Sequence, residues 1–285
     1  MTTLVSAWTR AKERLAAAGV EGPVIDARLL VEAAAGVGRA EIIADPHRAL
    51  TPDQARVLDD YLARRARREP ISHILGAKGF WKIMLKVTPD VLTPRPDTET
   101  LLDVMLPRIP AEGRVSVLDL GVGSGAILLA ILAERPDAIG LGVDISEDAL
   151  AVARENAANL SLAGRTALLR GDWALGLADD SFDWVVANPP YIATADLAAL
   201  APEVRDHEPR RALDGGADGL DAYRALAPQI LRVLRPGGAF AVEIGAGQRA
   251  PVERLFGEAG ALDLTTTPDL TGRDRVVAGF KKGLG

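Results

Sequence analysis

The stretch VLDLGVGSGAILLA, residues 117–130, joins a strand-like apolar segment to a helix-like apolar segment through a turn rich in glycine. Gly121, Gly123 and Gly125 allow the backbone to turn tightly and to come close to a ligand. The string also satisfies G-x-G-x-x-A, a pattern of dinucleotide-binding turns. Tight packing of the helix on the strand would use the same glycines, so the turn alone does not identify a ligand.

Strand-like and helix-like segments alternate from residue 114 onward. The strand-like segments, among them VSVLDL, IGLGVD and WVVA, are almost continuously apolar. Apolar strands that alternate with helices are typical of a mostly parallel sheet covered by helices on both faces. The sequence therefore predicts an α/β fold for this region.

The region before it has a different pattern. Its first part shows apolar residues at helical spacing and no strand pattern. Thr51, Pro52 and Gln54 there have the pattern of an N-cap, a first-turn proline and a capping box. Alternating apolar and charged residues then indicate a hairpin. The predicted parts are a helical domain (residues 1–75), a β-hairpin linker (76–95) and the α/β domain (96–285).

The composition argues against several kinds of site. The chain has 285 residues, a net charge of −6 and no cysteine, which disfavours general nucleic-acid binding and excludes thiolate chemistry and cysteine-ligated metals. The three histidines lie far apart in the sequence, so we expect no metal. No apolar run has the length of a membrane span, and the N-terminus lacks the pattern of a signal peptide. We expect a cytoplasmic protein that binds neither DNA directly nor membranes.

Acidic and aromatic residues follow the predicted strands. Asp144 ends the second strand, where a carboxylate can accept hydrogen bonds from both ribose hydroxyls of an adenosine. Asp119, just before the glycines, would repel a pyrophosphate but not a ligand that carries an ammonium and a sulfonium. This favours S-adenosylmethionine over a nicotinamide dinucleotide. Asp172 and Trp173 follow the third strand and can flank an adenine, although core packing would also explain Trp173.

Four motifs occur in order at predicted strand ends: DLGVGSGA, VDIS, GDW and NPPYI. In this order they resemble those of class I S-adenosylmethionine-dependent methyltransferases. The stretches GFWKIMLKVTPDVLTPRPDTETL and PEVRDHEPRRALDGGADGLDAYR, with a small helical domain in front, are similar to the release-factor glutamine methyltransferase family (HemK/PrmC). The resemblance covers essentially the whole chain. One departure is Thr93, where the family more often has isoleucine, and we interpret it as a packing variation.

The resemblance implies a Rossmann-like class I methyltransferase sheet, mostly parallel with an antiparallel last strand. It implies that S-adenosylmethionine methylates the side-chain nitrogen (N5) of the glutamine in the Gly-Gly-Gln motif, with S-adenosylhomocysteine as product. The implied partners are class I peptide chain release factors, which carry this motif. The predicted cofactor-binding residues are Asp119, Gly121, Val122, Gly123, Ser124, Gly125, Asp144, Asp172, Trp173 and Asn188.

The tetrapeptide NPPY, residues 188–191, suits an amide substrate. An amide nitrogen is a weak nucleophile because its lone pair is delocalised, so a site must direct it and stabilise the charge that develops on it. The Asn188 side-chain oxygen and the Pro189 carbonyl can accept hydrogen bonds from the NH₂ group, and Pro190 holds that carbonyl in place. Tyr191 can pack over the planar amide. We expect Asn188, Pro189 and Tyr191 to be catalytic and all four residues to bind the substrate.

Three other interpretations of these motifs stay open. NPPY also occurs in DNA and RNA amino-methyltransferases, although these would need a sizeable basic recognition domain. A non-catalytic nucleotide-binding protein would have no need of an intact NPPY beside an intact glycine turn. A turn that merely follows a strand would also favour asparagine and proline.

Several polar residues have two interpretations. Asp97 and Glu99 either cap a helix or lie beside the cofactor. Residues 192–220 are long and polar, and we expect them to cover the substrate, with glycines as hinges. Arg210 and Arg211 within them either contact a protein substrate or are solvated. Four further arginines form either a solvated helix end or a docking patch for an acidic partner or RNA: Arg64, Arg65, Arg67 and Arg68.

Overall fold

The computed structural model describes residues 2–283 of the chain. The described residues form two compact units. The first unit contains the residues up to Gly76 together with Ala201–His207, and the second contains Ala77–Leu200 and the residues from Glu208 onward. A short segment from the middle of the second unit's sequence therefore packs with the helices of the first.

Helices form the first unit because its apolar residues recur at helical spacing. Leu4, Leu15, Leu30 and Leu62 are all buried in one core between these helices. The N-terminal part contributes α1 (Leu4–Ala17), α2 (Pro23–Ala35), α3 (Arg39–Ala44), α4 (Pro52–Ala66) and α5 (Ile71–Leu75).

The predicted capping box at the start of α4 is confirmed. The Thr51 hydroxyl accepts the Gln54 backbone N–H at 3.2 Å, and the Gln54 side chain accepts the Thr51 N–H at 2.9 Å. Pro52 occupies the first turn, where its missing N–H costs no hydrogen bond. The Gln54 amide also donates to the Ala35 carbonyl at 2.8 Å, which joins the start of α4 to the end of α2.

The second unit begins with an antiparallel hairpin of β1 (Ala77–Phe80) and β2 (Ile83–Lys86). Trp81 belongs to the alternating stretch FWKIMLKV, residues 80–87, which predicts the hairpin strands, but the structure places Trp81 in the turn with φ of 52°. Its backbone N–H donates to Glu99 Oε1 at 2.8 Å and its indole N–H donates to Glu134 Oε1 at 3.0 Å. These two bonds fix the turn against the helices that follow.

A seven-stranded sheet forms the centre of the second unit, with strand order β5-β4-β3-β6-β7-β9-β8. Neighbouring strands from β5 to β7 pair in parallel, and β9 pairs antiparallel with both β7 and β8. The predicted mostly parallel sheet with an antiparallel last strand is therefore confirmed. Its strands are β3 (Ser116–Leu120), β4 (Ile139–Asp144), β5 (Thr166–Arg170), β6 (Phe182–Ala187), β7 (Leu234–Glu243), β8 (Ala261–Pro268) and β9 (Asp274–Lys281).

Helices cover both faces of this sheet. Alternate residues of a strand point to opposite faces, so two neighbouring residues pack into two different cores. Val117 packs into the core on the face of α6, α7 and α8, and its neighbour Leu118 packs into the core under α10 and α11. Phe240 stacks on Phe256 in the second core with ring centroids 4.4 Å apart. The helices are α6 (Glu99–Met105), α7 (Ala126–Glu134), α8 (Glu147–Asn159), α9 (Pro202–Arg205, in the first unit), α10 (Asp221–Val233) and α11 (Arg249–Glu258).

The sheet topology determines where a site can form. After β3 the chain adds β4 and β5 on one side, and then β6 and β7 on the other. The carboxyl ends of β3, β4 and β6 therefore meet at a switch point, where open parallel sheets bind their ligands. Among residues 2–283 no helix has the length and apolar character needed to cross a membrane.

Candidate active site

A cleft lies at this carboxyl edge of the sheet. It holds about 1080 Å³ of empty space, open solvent at its mouth included, which is enough for a nucleoside-sized ligand. Its walls come from five parts of the second unit: the segment before α6, the glycine turn, the ends of β4 and β5, NPPY, and the segment around Arg211. Of the predicted site residues, those that line it are Gly121, Val122, Gly123, Ser124, Asp144, Asp172, Trp173, Asn188 and Pro190.

The glycine turn has the close approach that its sequence predicted. Gly121 and Gly125 have φ of 79° and 85°, in the left-handed region that favours glycine. A Cβ on Gly125 would lie 2.8 Å from Leu129 Cδ1, so a side chain there would collide with α7. The Asn156 side chain donates to the Ser124 carbonyl at 2.9 Å and holds the turn from behind. Gly125 thus serves the packing of the helix, while Gly121 faces the cleft.

Asp144 is oriented by the backbone around it. One carboxylate oxygen accepts the Gly123 N–H at 2.9 Å and the other accepts the Ser146 N–H at 2.9 Å. The side chain is half-buried and lines the cleft, and its remaining lone pairs can accept further hydrogen bonds. A carboxylate fixed in this way can bind a pair of hydroxyl groups.

Asp119 lies beneath the glycine turn and does not line the cleft. One carboxyl oxygen accepts the Leu128 N–H at 3.2 Å, and the other is buried without a hydrogen-bond partner among the described residues. Burial, with a smaller contribution from the negative charge of Asp144, raises the pKa of Asp119 to about 7, although the hydrogen bond from the Leu128 N–H lowers it. A buried carboxyl that faces only another carboxylate is suited to a cationic ligand, so the residues present fit S-adenosylmethionine.

Trp173 forms part of both the cleft wall and the core. Its ring lies against the glycine turn, since a Cβ on Gly121 would be 3.3 Å from Trp173 Cζ3. The half-buried ring also packs on the core under α10 and α11. Its neighbour Asp172 is exposed and lines the cleft. Trp173 therefore both lines the cleft and packs against the core, and its contact with an adenine stays a prediction.

Asn188 leaves the end of β6 and lines the cleft. Its side-chain NH₂ donates to the Thr98 hydroxyl at 3.2 Å. Thr98 is 3 % exposed. Glu243, at the end of β7, is 1 % exposed, and its Oε2 is buried without a hydrogen-bond partner among the described residues. The amide nitrogen of Asn188 is thus engaged by the protein, and its oxygen is the atom left for a ligand.

Tyr191 packs beside this group. Its hydroxyl donates to Glu243 Oε1 at 3.4 Å, and burial raises the pKa of Tyr191 to about 12, so the hydroxyl stays protonated. Pro189 is buried behind the wall of the cleft and Pro190 lines it.

The glycines predicted as hinges instead allow close packing. A Cβ on Gly219 would lie 2.4 Å from the Tyr191 carbonyl oxygen, and one on Gly215 would lie 2.8 Å from the Pro190 carbonyl oxygen. The Gln248 side chain donates to the carbonyls of both Tyr191 and Gly219, at 2.9 and 3.2 Å. The segment therefore fixes the backbone after NPPY in position.

Asp97 and Glu99, the two acidic residues beside Thr98, both bond to other residues of the chain, and neither lines the cleft. Asp97 pairs with Arg275 at 3.4 Å, and Glu99 accepts the Trp81 N–H described above. Of the two arginines after NPPY, Arg211 lines the cleft and Arg210 pairs with Asp214 at 3.1 Å.

The arginine cluster of α4 belongs largely to the interior of the first unit. Arg65 is 5 % exposed and pairs with Asp26 at 2.7 Å and with Glu203 at 3.0 Å. Arg68 pairs with the same Glu203 at 2.6 Å. Arg64 pairs with Glu69, which leaves Arg67 as the exposed member of the four. Neither a solvated helix end nor a docking patch describes this cluster, whose ion pairs hold the segment Ala201–His207 against α4.

Sequence reasoning missed one wall of the cleft and one buried carboxyl group that does not line it. The first is the segment from Asp90 to Thr98, whose side chains form one wall. The second is Glu243, and the one acidic residue in the apolar strand AFAVEI was a signal for it. No group of metal-ligating side chains was found among residues 2–283.

Comparisons with known proteins agree with this architecture. Residues 6–76 match the model of the PrmC N-terminal domain, and residues 111–254 match that of a methyltransferase domain. A solved methyltransferase from Pyrococcus furiosus superposes with a TM-score of 0.53 at 18 % identity and covers 78 % of this chain and 99 % of its own. At that identity the superposition supports the fold alone.

Sequence relatives are much closer. The release factor glutamine methyltransferase of Caulobacter vibrioides is 63 % identical over 99 % of this chain and 98 % of its own. The proteins of that name from Rhodospirillum rubrum and Moorella thermoacetica are 47 % and 42 % identical, over 95 % and 98 % of this chain and 83 % and 99 % of their own. The chain therefore belongs to the release factor glutamine methyltransferase family.

Proposed function

We propose that this chain uses S-adenosylmethionine to methylate the side-chain amide nitrogen of the glutamine in the Gly-Gly-Gln motif of class I release factors. One observation carries the proposal: the side-chain oxygen of Asn188 is left for a ligand in the same cleft as Asp144 and the glycine turn. The partners would be the release factors themselves, and the place of action would be the cytoplasm. The family to which the chain belongs supports the same assignment.

The carboxyl ends of β3 and β4 would hold the cofactor. Asp144 would accept hydrogen bonds from the ribose, and Asp172 with the Trp173 ring would enclose the adenine. The buried Asp119 would offset the positive charge of the amino-acid part through the field in this poorly solvated site. When bound, S-adenosylmethionine supplies a methyl group on a positively charged sulfur.

NPPY would hold the acceptor amide. The Asn188 oxygen and the Pro189 carbonyl would accept hydrogen bonds from the glutamine NH₂ group and direct its nitrogen toward the donor. Both acceptors are preorganised, because strand β6 ends there and the glycine segment fixes the following backbone. Acceptors fixed in advance stabilise the positive charge that develops on the nitrogen without further rearrangement. Tyr191 would pack over the plane of the amide.

The direct test is mass spectrometry of a purified release factor after incubation with the enzyme and S-adenosylmethionine. We expect one added methyl group on the glutamine of Gly-Gly-Gln, and none when that glutamine is replaced by alanine. Total RNA and DNA serve as competing acceptors in the same reaction. Labelling of nucleic acid without labelling of the release factor would favour an amino-methyltransferase of nucleic acids instead.

A further inference from the structure

Gln248 directly precedes α11, but its side chain does not cap this helix. The residue before a helix usually satisfies one of the free N–H groups of the first turn, and short polar side chains do this best. The longer Gln248 side chain extends instead to backbone groups of Tyr191, Gly219 and Gly245. These contacts lie outside α11, and two of them are with segments far away in the sequence.

The three hydrogen bonds of the Gln248 amide have a defined direction. Its Oε1 accepts the Gly245 N–H at 2.9 Å, and its Nε2 donates to the Tyr191 carbonyl at 2.9 Å and to the Gly219 carbonyl at 3.2 Å. A backbone N–H can only donate and a carbonyl can only accept, so a reversed amide would lose all three bonds. The Gln248 amide therefore joins the backbone at the end of NPPY to the turn before α10.

Two glycines leave the space that this amide occupies. A Cβ on Gly219 would lie 2.7 Å from Gln248 Nε2, and one on Gly245 would lie 2.9 Å from Gln248 Oε1. Gly219 also has φ of 75°, in the left-handed region that favours glycine. A side chain at either position would displace the Gln248 amide, so both glycines are needed for its close approach to the backbone.

The two prolines of NPPY limit how the chain before Tyr191 can rotate. The ring of a proline fixes its φ near −65°, and a residue that precedes a proline is restricted to extended ψ values. Both restrictions apply to Pro189, because Pro190 follows it. Strand β6 holds this stretch at one end, and Gln248 holds the Tyr191 carbonyl at the other. With both ends held, few rotations remain that could change the direction of the Pro189 carbonyl.

We propose that Gln248 is a positioning residue for the reaction: it holds the backbone of NPPY so that the Pro189 carbonyl keeps its direction toward the acceptor amide. The inference rests on the proposed function, in which that carbonyl accepts a hydrogen bond from the glutamine NH₂ group. Without the Gln248 amide, the Tyr191 carbonyl loses its donor and the peptide planes before it can rotate. An acceptor that has turned away from the substrate nitrogen no longer directs it toward the methyl group.

Steady-state kinetics of the full chain with a release factor test this role. Gln248→Met keeps the length of the side chain and removes its three hydrogen bonds, and we expect it to lower kcat about tenfold or more. Gln248→Glu keeps an acceptor for the Gly245 N–H but turns a second oxygen toward two carbonyls, so its kcat should be at least as low. Cofactor affinity, measured by calorimetry, should change less than about threefold in both variants, because Gln248 does not line the cleft.

The first unit offers a matched control. The Gln54 side chain also joins two backbone groups, since it accepts the Thr51 N–H at 2.9 Å and donates to the Ala35 carbonyl at 2.8 Å. Gln54→Met should lower the melting temperature, as Gln248→Met does, but should leave kcat at saturating release factor within about twofold of the original enzyme. If Gln248→Met had the same kcat as Gln54→Met, Gln248 would only stabilise the fold and the proposal would be overturned.

Hydrogen exchange, which needs no turnover, separates this proposal from the proposed function. The Ile192 N–H donates to the Leu213 carbonyl at 3.0 Å, and the Gly215 N–H donates to the Ile192 carbonyl at 2.8 Å. We expect both amides to exchange about tenfold faster in Gln248→Met than in Gln54→Met, because the backbone beside them opens more often. Unchanged exchange would exclude the positioning role even if release factors are substrates. Faster exchange, together with a release factor that the original enzyme leaves unmethylated, would place the fault in the proposed function.

Discussion

Each end of the cleft has one buried carboxyl group nearby that does not line it, and the surroundings of these two groups differ. Asp119, at the cofactor end, is approached by the negative charge of Asp144 and accepts one backbone N–H. Glu243, at the end of β7, faces Arg275 and accepts the Tyr191 hydroxyl, while its Oε2 has no hydrogen-bond partner among the described residues. The first arrangement has a charge that a cationic ligand can offset. The second already has a cation of the protein, Arg275, beside it.

The largest expected effect is on the acceptor end. Asn188→Ala should lower kcat about a hundredfold or more, because it removes a preorganised acceptor beside the developing charge. Cofactor affinity, measured by calorimetry, should fall much less. Equal losses of affinity and turnover would make Asn188 a cofactor residue and would remove the distinction between the two ends.

The next effect concerns the cofactor end. Asp144→Ala should weaken cofactor binding by about 2 kcal/mol, since it removes charge-assisted hydrogen bonds to the ribose. Asp148→Ala, an exposed acidic residue of the following helix, is the matched control and should leave the affinity nearly unchanged. Calorimetry measures the cofactor affinity of both variants. Equal affinities would mean that Asp144 does not bind the cofactor.

A smaller effect concerns the charge of Asp119. Its raised pKa means that the folded state holds a proton more tightly than the unfolded state, so this group's contribution to stability falls as pH rises from about 4 to about 7. Asp119→Asn, which cannot ionise, should therefore be more stable than the original protein at pH 8, and this gain in stability should be smaller at pH 5. Thermal unfolding without cofactor at both pH values provides the measurement.

Asp183, near the amino-terminal end of the central strand β6, has a lowered pKa, in contrast to Asp119. Burial would raise its pKa, but hydrogen bonds from Ser116 and Arg235 outweigh this and lower the pKa of Asp183. Asp183→Asn should consequently destabilise the protein at pH 8. If Asp119→Asn and Asp183→Asn changed the stability in the same direction at pH 8, the different balance of burial and hydrogen bonds at the two residues would not explain their effects.

The smallest expected effect is that of the Tyr191 hydroxyl. Tyr191→Phe keeps the ring and removes only a long hydrogen bond of 3.4 Å to Glu243, so we expect kcat to fall by less than about fivefold. Tyr191→Ala, which also removes the ring, should cost considerably more. Equal losses in the two variants would give the hydroxyl, and not the ring, the main role.

The contrast between the two ends of the cleft also explains how much of the site the sequence could predict. The proposed cofactor end is built from short segments that each directly follow a strand, so the local pattern predicts the glycine turn and Asp144. The sheet also followed from apolar strands that alternate with helices. The acceptor end depends on residues that lie far apart in the sequence, such as Thr98, Asn188 and Glu243. Only NPPY was recognisable there, because hydrogen bonds between distant elements leave no local periodicity.

The glycine segment after NPPY shows a different limit. Composition suggested hinges, since glycine is conformationally permissive. In the structure Gly215 and Gly219 are glycines because backbone carbonyls lie where their side chains would be. Flexibility and close packing select the same residue, and only the positions of the neighbours separate them.

The position of β9 between β7 and β8 has a consequence for synthesis of the chain. A nascent chain that has not yet reached Asp274 has no strand to fill the gap between β7 and β8, and both strands keep an unpaired edge. It also lacks Arg275, the cation that faces Glu243. The sheet can therefore be completed only after β9 has left the ribosome, and a chain that stops before β9 is expected to be prone to aggregation.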